Sequence, residues 1–255
     1  MREAGNLDYA QARLQARHGQ RMRPSDWARL DASRDLQHFL ATAATSPLVR
    51  WTSPLNPEMN AHELERALRK AWREYVAEIC DWLPAAWQST AAWSGTLVDL
   101  QYVARLADPT PAPSWMFADP VYGSIAPGSP AERAAAMAAT PLAPLAPALL
   151  GLNGVVDLWV AEWQRRQPPV DADAAASLRA LARILAGAAL TRPEGRPSGH
   201  ATEGSMRDGI SRLFRHAAGT PVSAFAHLAL VADDLRMLRG RVVERAAFGI
   251  ARRAA

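Results

Sequence analysis

The side chains that could perform acid–base or metal chemistry are scattered along the sequence. Six histidines stand singly, and none belongs to an HExxH motif or lies near the single cysteine, Cys80. A zinc site needs such ligands at short, regular spacings, so the sequence gives no local support for one. We interpret each histidine as a surface or boundary residue and not as a ligand. The six are His18, His38, His62, His200, His216 and His227.

The adjacent carboxylates Asp233 and Asp234 are the best candidates for a magnesium or two-metal site. Neighbouring residues on a helix point about 100° apart, however, and no DxxxD or ExxH box elsewhere supplies further ligands. We therefore interpret the pair as part of a helix surface. The sequence also lacks the GxxxxGK[S/T] and GxGxxG loops that hold nucleotide phosphates. We predict no catalytic residue, no metal ligand and no cofactor.

The composition is typical of a globular chain with a mixed charged surface. The 255 residues are 49% hydrophobic, and 25 acidic residues lie among 29 basic ones for a net charge of +4. Such a chain can build a core. Because no run of five or six like charges occurs, we favour a solvated surface over a nucleic-acid-binding patch. The lone cysteine and the lack of an apolar leader at the N-terminus indicate a cytoplasmic location.

Helical periodicity recurs in nearly every segment between proline breaks, while strand patterns are almost absent. The clearest element begins with the capping box Asn60-Ala61-His62-Glu63 and continues as an apolar stripe to about Leu83, before Pro84. The sequence therefore predicts an all-α, multi-helix bundle. The other predicted helices are 6–22, two that begin near Ser25 and Ser33, one or two within 85–107, and 131–139, 149–164, 171–190, 206–217 and 222–248.

Proline-rich segments divide these helices into lobes. The six prolines of 108–130 exclude a regular helix there, while the aromatic residues between them argue against a disordered linker. We predict an N-terminal lobe over 1–107, an ordered connection over 108–140 and a C-terminal lobe over 141–255. The polar, Gly- and Pro-rich residues 191–205 are predicted to form a mobile loop.

One short pattern occurs twice and is a candidate internal repeat. Asp99-Leu100, followed by Val103 and Arg105, is matched by Asp234-Leu235, followed by Leu238 and Arg239. Each copy lies in a helix that closes its half of the chain. Chance could also supply the match, because such pairs are common in helices rich in Arg and Leu.

Arginine and tryptophan are the residues from which a partner-binding surface could be built, because both are enriched at binding hot spots. Arg13, Arg17 and Arg21 recur at every fourth residue and so share one face of the first helix. We favour a solvated helix face for them over a partner-binding stripe. Most of the nine tryptophans lie in helical stripes and are predicted to be core residues.

Several of these segments resemble a known family when they are taken together. They are YAQARLQAR at 9–17, SDWARL at 25–30, DLQHFL at 35–40, NAHELE at 60–65 and FAHLALVADDLRMLR at 225–239. This set is similar to the C subunit of V-type and A-type rotary ATPases, which is called subunit d in eukaryotes. The resemblance covers about half of the chain. The present sequence is shorter than the usual three-lobed member and has a doubled carboxylate before its Leu-Arg pair.

The resemblance implies a mechanical role without catalysis. Members of the family form a funnel-like socket of two or three similar helical lobes, which couples the central stalk to the membrane rotor ring. The implied partners are central-stalk subunits and the proteolipid ring, on the cytoplasmic face of the membrane, with no transmembrane segment of the chain's own and no direct contact with nucleic acid. The partner interface is predicted to include six arginines. They are Arg13, Arg17 and Arg21 on the first helix and Arg236, Arg239 and Arg241 on the last.

Two other classes of function are compatible with the same sequence. One is a free-standing all-α adaptor or assembly factor that shares the fold without being part of a motor. The other is an all-α enzyme whose site forms between lobes from scattered His, Asp and Glu residues.

Overall fold

The computed structural model describes residues 2–190 and 200–253, with side chains described over 7–187 and 206–247. Every regular element in these ranges is helical, and no strand occurs there, which confirms the predicted all-α class. Two 3-10 helices, Ser94–Asp99 and Ala143–Leu150, accompany the α-helices. The α-helices are α1 Arg2–Gly19, α2 Pro24–Asp31, α3 Leu36–Ala43, α4 Val49–Thr52, α5 Ala61–Trp82, α6 Ala85–Trp93, α7 Leu100–Ala107, α8 Ser114–Phe117, α9 Pro130–Ala138, α10 Val155–Arg165, α11 Ala172–Leu190, α12 His200–His216 and α13 Pro221–Arg253.

Helix α5 shows how directly local sequence sets a helix boundary. The side-chain oxygen of Asn60 accepts hydrogen bonds from the backbone N–H groups of His62 and Glu63, at 3.0 and 3.1 Å. The Glu63 carboxylate in turn accepts from the backbone N–H of Asn60 at 2.8 Å, which completes the predicted capping box. At the other end Leu83 is extended, as the residue before Pro84 must be, and the helix stops at Trp82.

The helices form two compact units, and the first is not contiguous in sequence. It contains α1–α5 together with α12 and α13. Helix α13 packs against α12, α5, α1 and α3, so it returns to the helices of the chain's beginning. This division differs from the predicted lobes at 1–107 and 141–255, because periodicity locates a helix but does not identify the helices against which it packs.

The second unit contains α6–α11 and both 3-10 helices. The proline-rich residues 108–130 belong to it and are ordered, with Met116, Tyr122 and Ile125 fully buried. A close turn holds this segment. A Cβ atom at Gly123 would lie 2.9 Å from the carbonyl oxygens of both Phe117 and Asp119, so the turn needs a glycine.

Eight of the nine tryptophans have buried side chains, as the sequence predicts, and Trp115 is partly exposed. Of the predicted mobile loop over 191–205, residues 191–199 lie outside the described residues. Residues 200–205 are helical, because α12 begins at His200 and not at 206. Over the described ranges, no helix is long and apolar enough to cross a membrane.

Candidate functional site

A group of arginines in the first unit surrounds two buried carboxylates of α13. Arg21, just beyond α1, donates from Nε to Asp234 Oδ2 at 2.7 Å and from Nη2 to the carbonyl oxygen of Leu230 at 3.2 Å. Arg207 of α12 also binds Asp234 and lies 3.5 Å from Asp233. Arg236 donates to Asp233 at 3.1 Å. We call these five charged residues, Arg21, Arg207, Asp233, Asp234 and Arg236, the aspartate cluster.

The aspartate cluster corrects the prediction that Asp233 and Asp234 belong to a helix surface. Their relative exposures are 8% and 5%, because α13 is flanked by α1 and α12 at this level and α5 also packs against it. Arg21 is also largely removed from water. Burial lowers the pKa of its guanidinium to about 10, although the negative charge of Asp233 opposes this shift. Asp233 and Asp234 therefore bind arginines inside the first unit instead of facing solvent.

A second carboxylate binds two further arginines nearby. Glu78 of α5 accepts from Arg17 at 2.7 Å through Oε1 and from Arg50 at 2.5 Å through Oε2. Burial alone would raise the pKa of Glu78, but the hydrogen bonds from Arg50 and Arg17 hold it below its usual value. The guanidinium of Arg50 also lies 4.8 Å from the centre of the Tyr75 ring, a cation–π contact.

A cleft of about 70 Å³ lies between these two sets of charges. Three arginines and one carboxylate contribute to its wall, and Trp51, whose ring is 5.2 Å from that of Tyr75, forms part of its apolar side. We call it the arginine cleft. Its lining residues are Arg17, Gln20, Arg21, Met22, Pro47, Leu48, Arg50, Trp51, Tyr75, Val231 and Asp234.

A buried tyrosine–histidine pair stands behind the arginine cleft. The Tyr75 hydroxyl and His227 Nε2 are 2.6 Å apart, and the tautomer of the imidazole decides which of them donates. Burial raises the pKa of Tyr75 to about 12. Burial, followed by the positive field of Arg21, lowers the pKa of His227 to about 3, so the imidazole is neutral at pH 7.

His227 also corrects the prediction that each histidine lies at a surface or boundary. It is fully buried, because α13 at this level is packed against α1, α5 and α12. His18 of α1 is half-buried and stacks on Phe214 with ring centres 4.3 Å apart. The pKa of His18 is lowered by burial and by the charges of Arg21 and Arg215. Both imidazoles therefore favour the neutral form.

Five of the six arginines predicted for a partner interface bind carboxylates within the first unit. The sixth, Arg13, is exposed and lies over the rings of Trp82 and Tyr9, at 4.8 and 5.7 Å from their centres. The five pairs are Arg17 with Glu78, Arg21 with Asp234, Arg236 with Asp233, Arg239 with Glu65 and Arg241 with Asp31. Contact of these six residues with a partner stays a prediction.

The second unit has a buried polar interior of a different kind. The Tyr122 hydroxyl donates to Asp99 at 2.5 Å, and Asp99 is 1% exposed. Trp93 Nε1 donates to the carbonyl oxygen of Trp159 at 3.1 Å, and Trp159 Nε1 donates to Thr96 Oγ1 at 2.9 Å. These bonds join neutral donors to their acceptors, and the buried Glu162 of the same unit is paired with the guanidinium groups of Arg165 and Arg166.

Sequence reasoning missed three residues that shape the arginine cleft: Arg50, Tyr75 and Glu78. The sequence places Tyr75 in the apolar stripe of α5 and gives no sign that it lines a polar cleft. Glu78 follows it by three residues and therefore lies on a neighbouring part of the same helix face, which is the only local signal for the pair. Arg50 lies in a short helix after Pro47, and nothing in its neighbourhood indicates that it meets Glu78 across 28 residues of chain.

Within the described residues, no group of three or more His, Cys, Asp and Glu side chains is placed to hold a metal ion. The chain matches no protein-family model, no curated protein and no solved structure in the three comparisons made.

Proposed function

We propose that this chain is a non-catalytic subunit of a V/A-type ion-translocating ATPase, which couples the central stalk to the membrane rotor ring on the cytoplasmic face. The observation that supports this role best is the placement of the segments that carry the family resemblance. All five, over 9–17, 25–30, 35–40, 60–65 and 225–239, lie in the first unit, although more than 150 residues separate the fourth from the fifth. The resemblance therefore describes one folded body.

Ion pairs join the helices of that body across long distances in sequence. Arg241 of α13 forms a bidentate pair with Asp31 of α2, at 2.7 and 2.8 Å. Arg239 binds Glu65 of α5 at 2.5 Å. Charge-assisted, forked hydrogen bonds fix geometry as well as adding energy, so they hold neighbouring helices in register. A part that passes torque between two partners needs such resistance to sliding.

The exposed face in the middle of α1 has the composition of a contact surface. Tyr9 is 54% exposed, and the exposed Arg13 lies against it and against Trp82. Aromatic residues and arginine are enriched in the energetic centres of protein interfaces. A partner that covered Tyr9 would also remove the guanidinium of Arg13 from water and strengthen its cation–π contacts.

Purification of the tagged full chain from its native membrane tests this proposal. After mild detergent extraction, the chain should co-migrate with proteolipid and central-stalk subunits of an ATPase, identified by mass spectrometry. An unrelated tagged protein of the same cell, taken through the same extraction, controls for adhesion to the resin. Recovery of the chain as a monomer without those subunits would contradict the proposal and favour the free-standing adaptor.

A further inference from the structure

We propose that the arginine cleft is a binding site for one compact, doubly charged oxyanion, a phosphate group. Nothing in the proposed ATPase role requires this site, and the isolated chain can be tested for it. The inference rests on the charge, the preorganised donors and the size of the cleft.

The charges around the arginine cleft do not cancel. Three guanidinium groups line it, those of Arg17, Arg21 and Arg50, against the single carboxylate of Asp234. Including Glu78 and Arg207, which pair with these four residues, four arginines of the first unit face two carboxylates, which leaves two positive charges. The half-buried imidazole of His18 and the buried one of His227 add none at pH 7, since the pKa values of both are lowered. A dianion would balance the excess.

The donors are held in place before any ligand arrives. Arg17 and Arg50 each give one Nη2 to opposite oxygens of Glu78, and the Tyr75 ring supports the guanidinium of Arg50 from one face. A guanidinium carries five N–H donors in a rigid fork, so further donors of both residues can turn to a ligand. Side chains already ordered lose little entropy when they bind, which favours affinity.

The volume of the arginine cleft and the residues of its wall favour a small ligand. The volume of about 70 Å³ exceeds the roughly 10–15 Å³ that one water needs, and suits a group of a few heavy atoms but not a nucleotide. Pro47, Leu48, Trp51 and Val231 supply apolar wall, and a low local dielectric strengthens the attraction between guanidinium and anion. A phosphate group carries about the two negative charges that would balance the excess, whereas a carboxylate carries one.

Calorimetric titration of the full chain with inorganic phosphate, at constant ionic strength and pH 7.5, tests the site. We expect saturable binding at one site. Arg50→Gln should weaken it about tenfold or more, since a hydrogen bond from a charged donor is lost. Arg183→Gln is the matched control, because Arg183 is an exposed arginine of the second unit with a 3.8 Å contact to Asp157. It should leave the affinity unchanged.

Three results would overturn the proposal: no saturable binding, equal affinity in wild type and Arg50→Gln, or acetate binding as tightly as phosphate. Thermal unfolding without ligand first establishes that Arg50→Gln is folded. If it is not, Arg50→Lys keeps the charge, loses the fork, and should still weaken binding. A parallel titration with glycerol phosphate distinguishes a phosphate group that is part of a phosphomonoester from the free phosphate ion. Tighter binding than inorganic phosphate identifies a phosphomonoester, and weaker binding identifies the free ion.

Discussion

The two buried aspartates Asp234 and Asp99 begin the same short sequence pattern, but different kinds of side chain donate to them in the two units of the molecule. Asp234, in the first unit, is bound by the guanidinium groups of Arg21 and Arg207. Asp99, in the second, accepts from the hydroxyl of Tyr122. The candidate repeat therefore does not extend to the partners of its carboxylates. Similar residues in a helix do not specify which side chains bind them.

The difference follows the way each unit is assembled from the chain. Arg21 and Asp234 are 213 residues apart, and the ion pair fastens the beginning of the chain to its last helix. In the second unit, the bond between Tyr122 and Asp99 spans 23 residues. Removing a buried charge from its partner is far more costly than weakening a neutral donor's bond, so the two units should respond differently to the same substitution.

The largest contrast should come from replacing each aspartate by asparagine. Asp234→Asn removes the carboxylate that both Arg21 and Arg207 bind and leaves them only Asp233, so it should lower the free energy of unfolding by about 3 kcal/mol. Asp99→Asn keeps an oxygen that can accept from Tyr122 and should cost about 1 kcal/mol. Urea unfolding followed by circular dichroism measures both, and hydrogen exchange assigns each loss to α13 or to α7.

Each variant of this pair is the control for the other, because the substitution is chemically identical. Equal losses in the two variants would show that charged and neutral donors contribute the same stability when they bind a buried aspartate. A larger loss for Asp99→Asn would reverse it.

A smaller loss in the free energy of unfolding should appear when the pH is lowered, because His227 of the first unit is buried in its neutral form. The pKa of His227 is about 3 in the folded chain and near its ordinary value of 6.5 when the chain is unfolded. Between these values the unfolded state binds more protons, so the stability due to neutral His227 is complete above about pH 6.5 and falls as the pH is lowered. The expected loss from pH 7.5 to pH 5 is about 2 kcal/mol. His18, whose pKa is also lowered, adds to it in the same direction.

His227→Gln separates this titration from general acid destabilisation. Glutamine can still bond to the Tyr75 hydroxyl but does not titrate, so the variant should lose less stability than the wild type over the same pH interval. Urea unfolding at pH 7.5, 6 and 5 provides the measurement. Parallel losses in the two proteins would show that His227 does not take up the proton, and would leave the acid sensitivity to other groups such as Glu78.

The features that sequence reasoning predicted are those that neighbouring residues determine. The capping box at Asn60 needs only the four residues to Glu63, and the stop before Pro84 needs only two. The all-α class likewise depends on short spacings, repeated in each segment. Even the proline-rich residues 108–130 are ordered, as their aromatic content indicates.

Features that depend on packing were not accessible in this way. A periodic pattern assumes one apolar face, but α13 has neighbours on several sides, so Asp233, Asp234 and His227 are buried where a surface was expected. The partners that make their burial tolerable are Arg21 and Tyr75, which lie more than 150 residues away. Local spacing in the sequence does not reveal such a pairing. The arginine cleft arises from pairings between residues of separate helices.

The most direct test of the central claim, that the first unit attaches the chain to a rotary ATPase, is a comparison of two double charge reversals in membrane co-purification. Arg13→Glu with Arg17→Glu changes α1, where Arg50 can still bind Glu78 although the new carboxylate at position 17 lies beside it. Thermal unfolding first establishes that this variant is folded. Arg179→Glu with Arg183→Glu changes two exposed arginines at the same spacing in α11 of the second unit. The account predicts that the first pair loses most of its proteolipid and stalk subunits while the second retains them. Equal retention by both folded variants would contradict it.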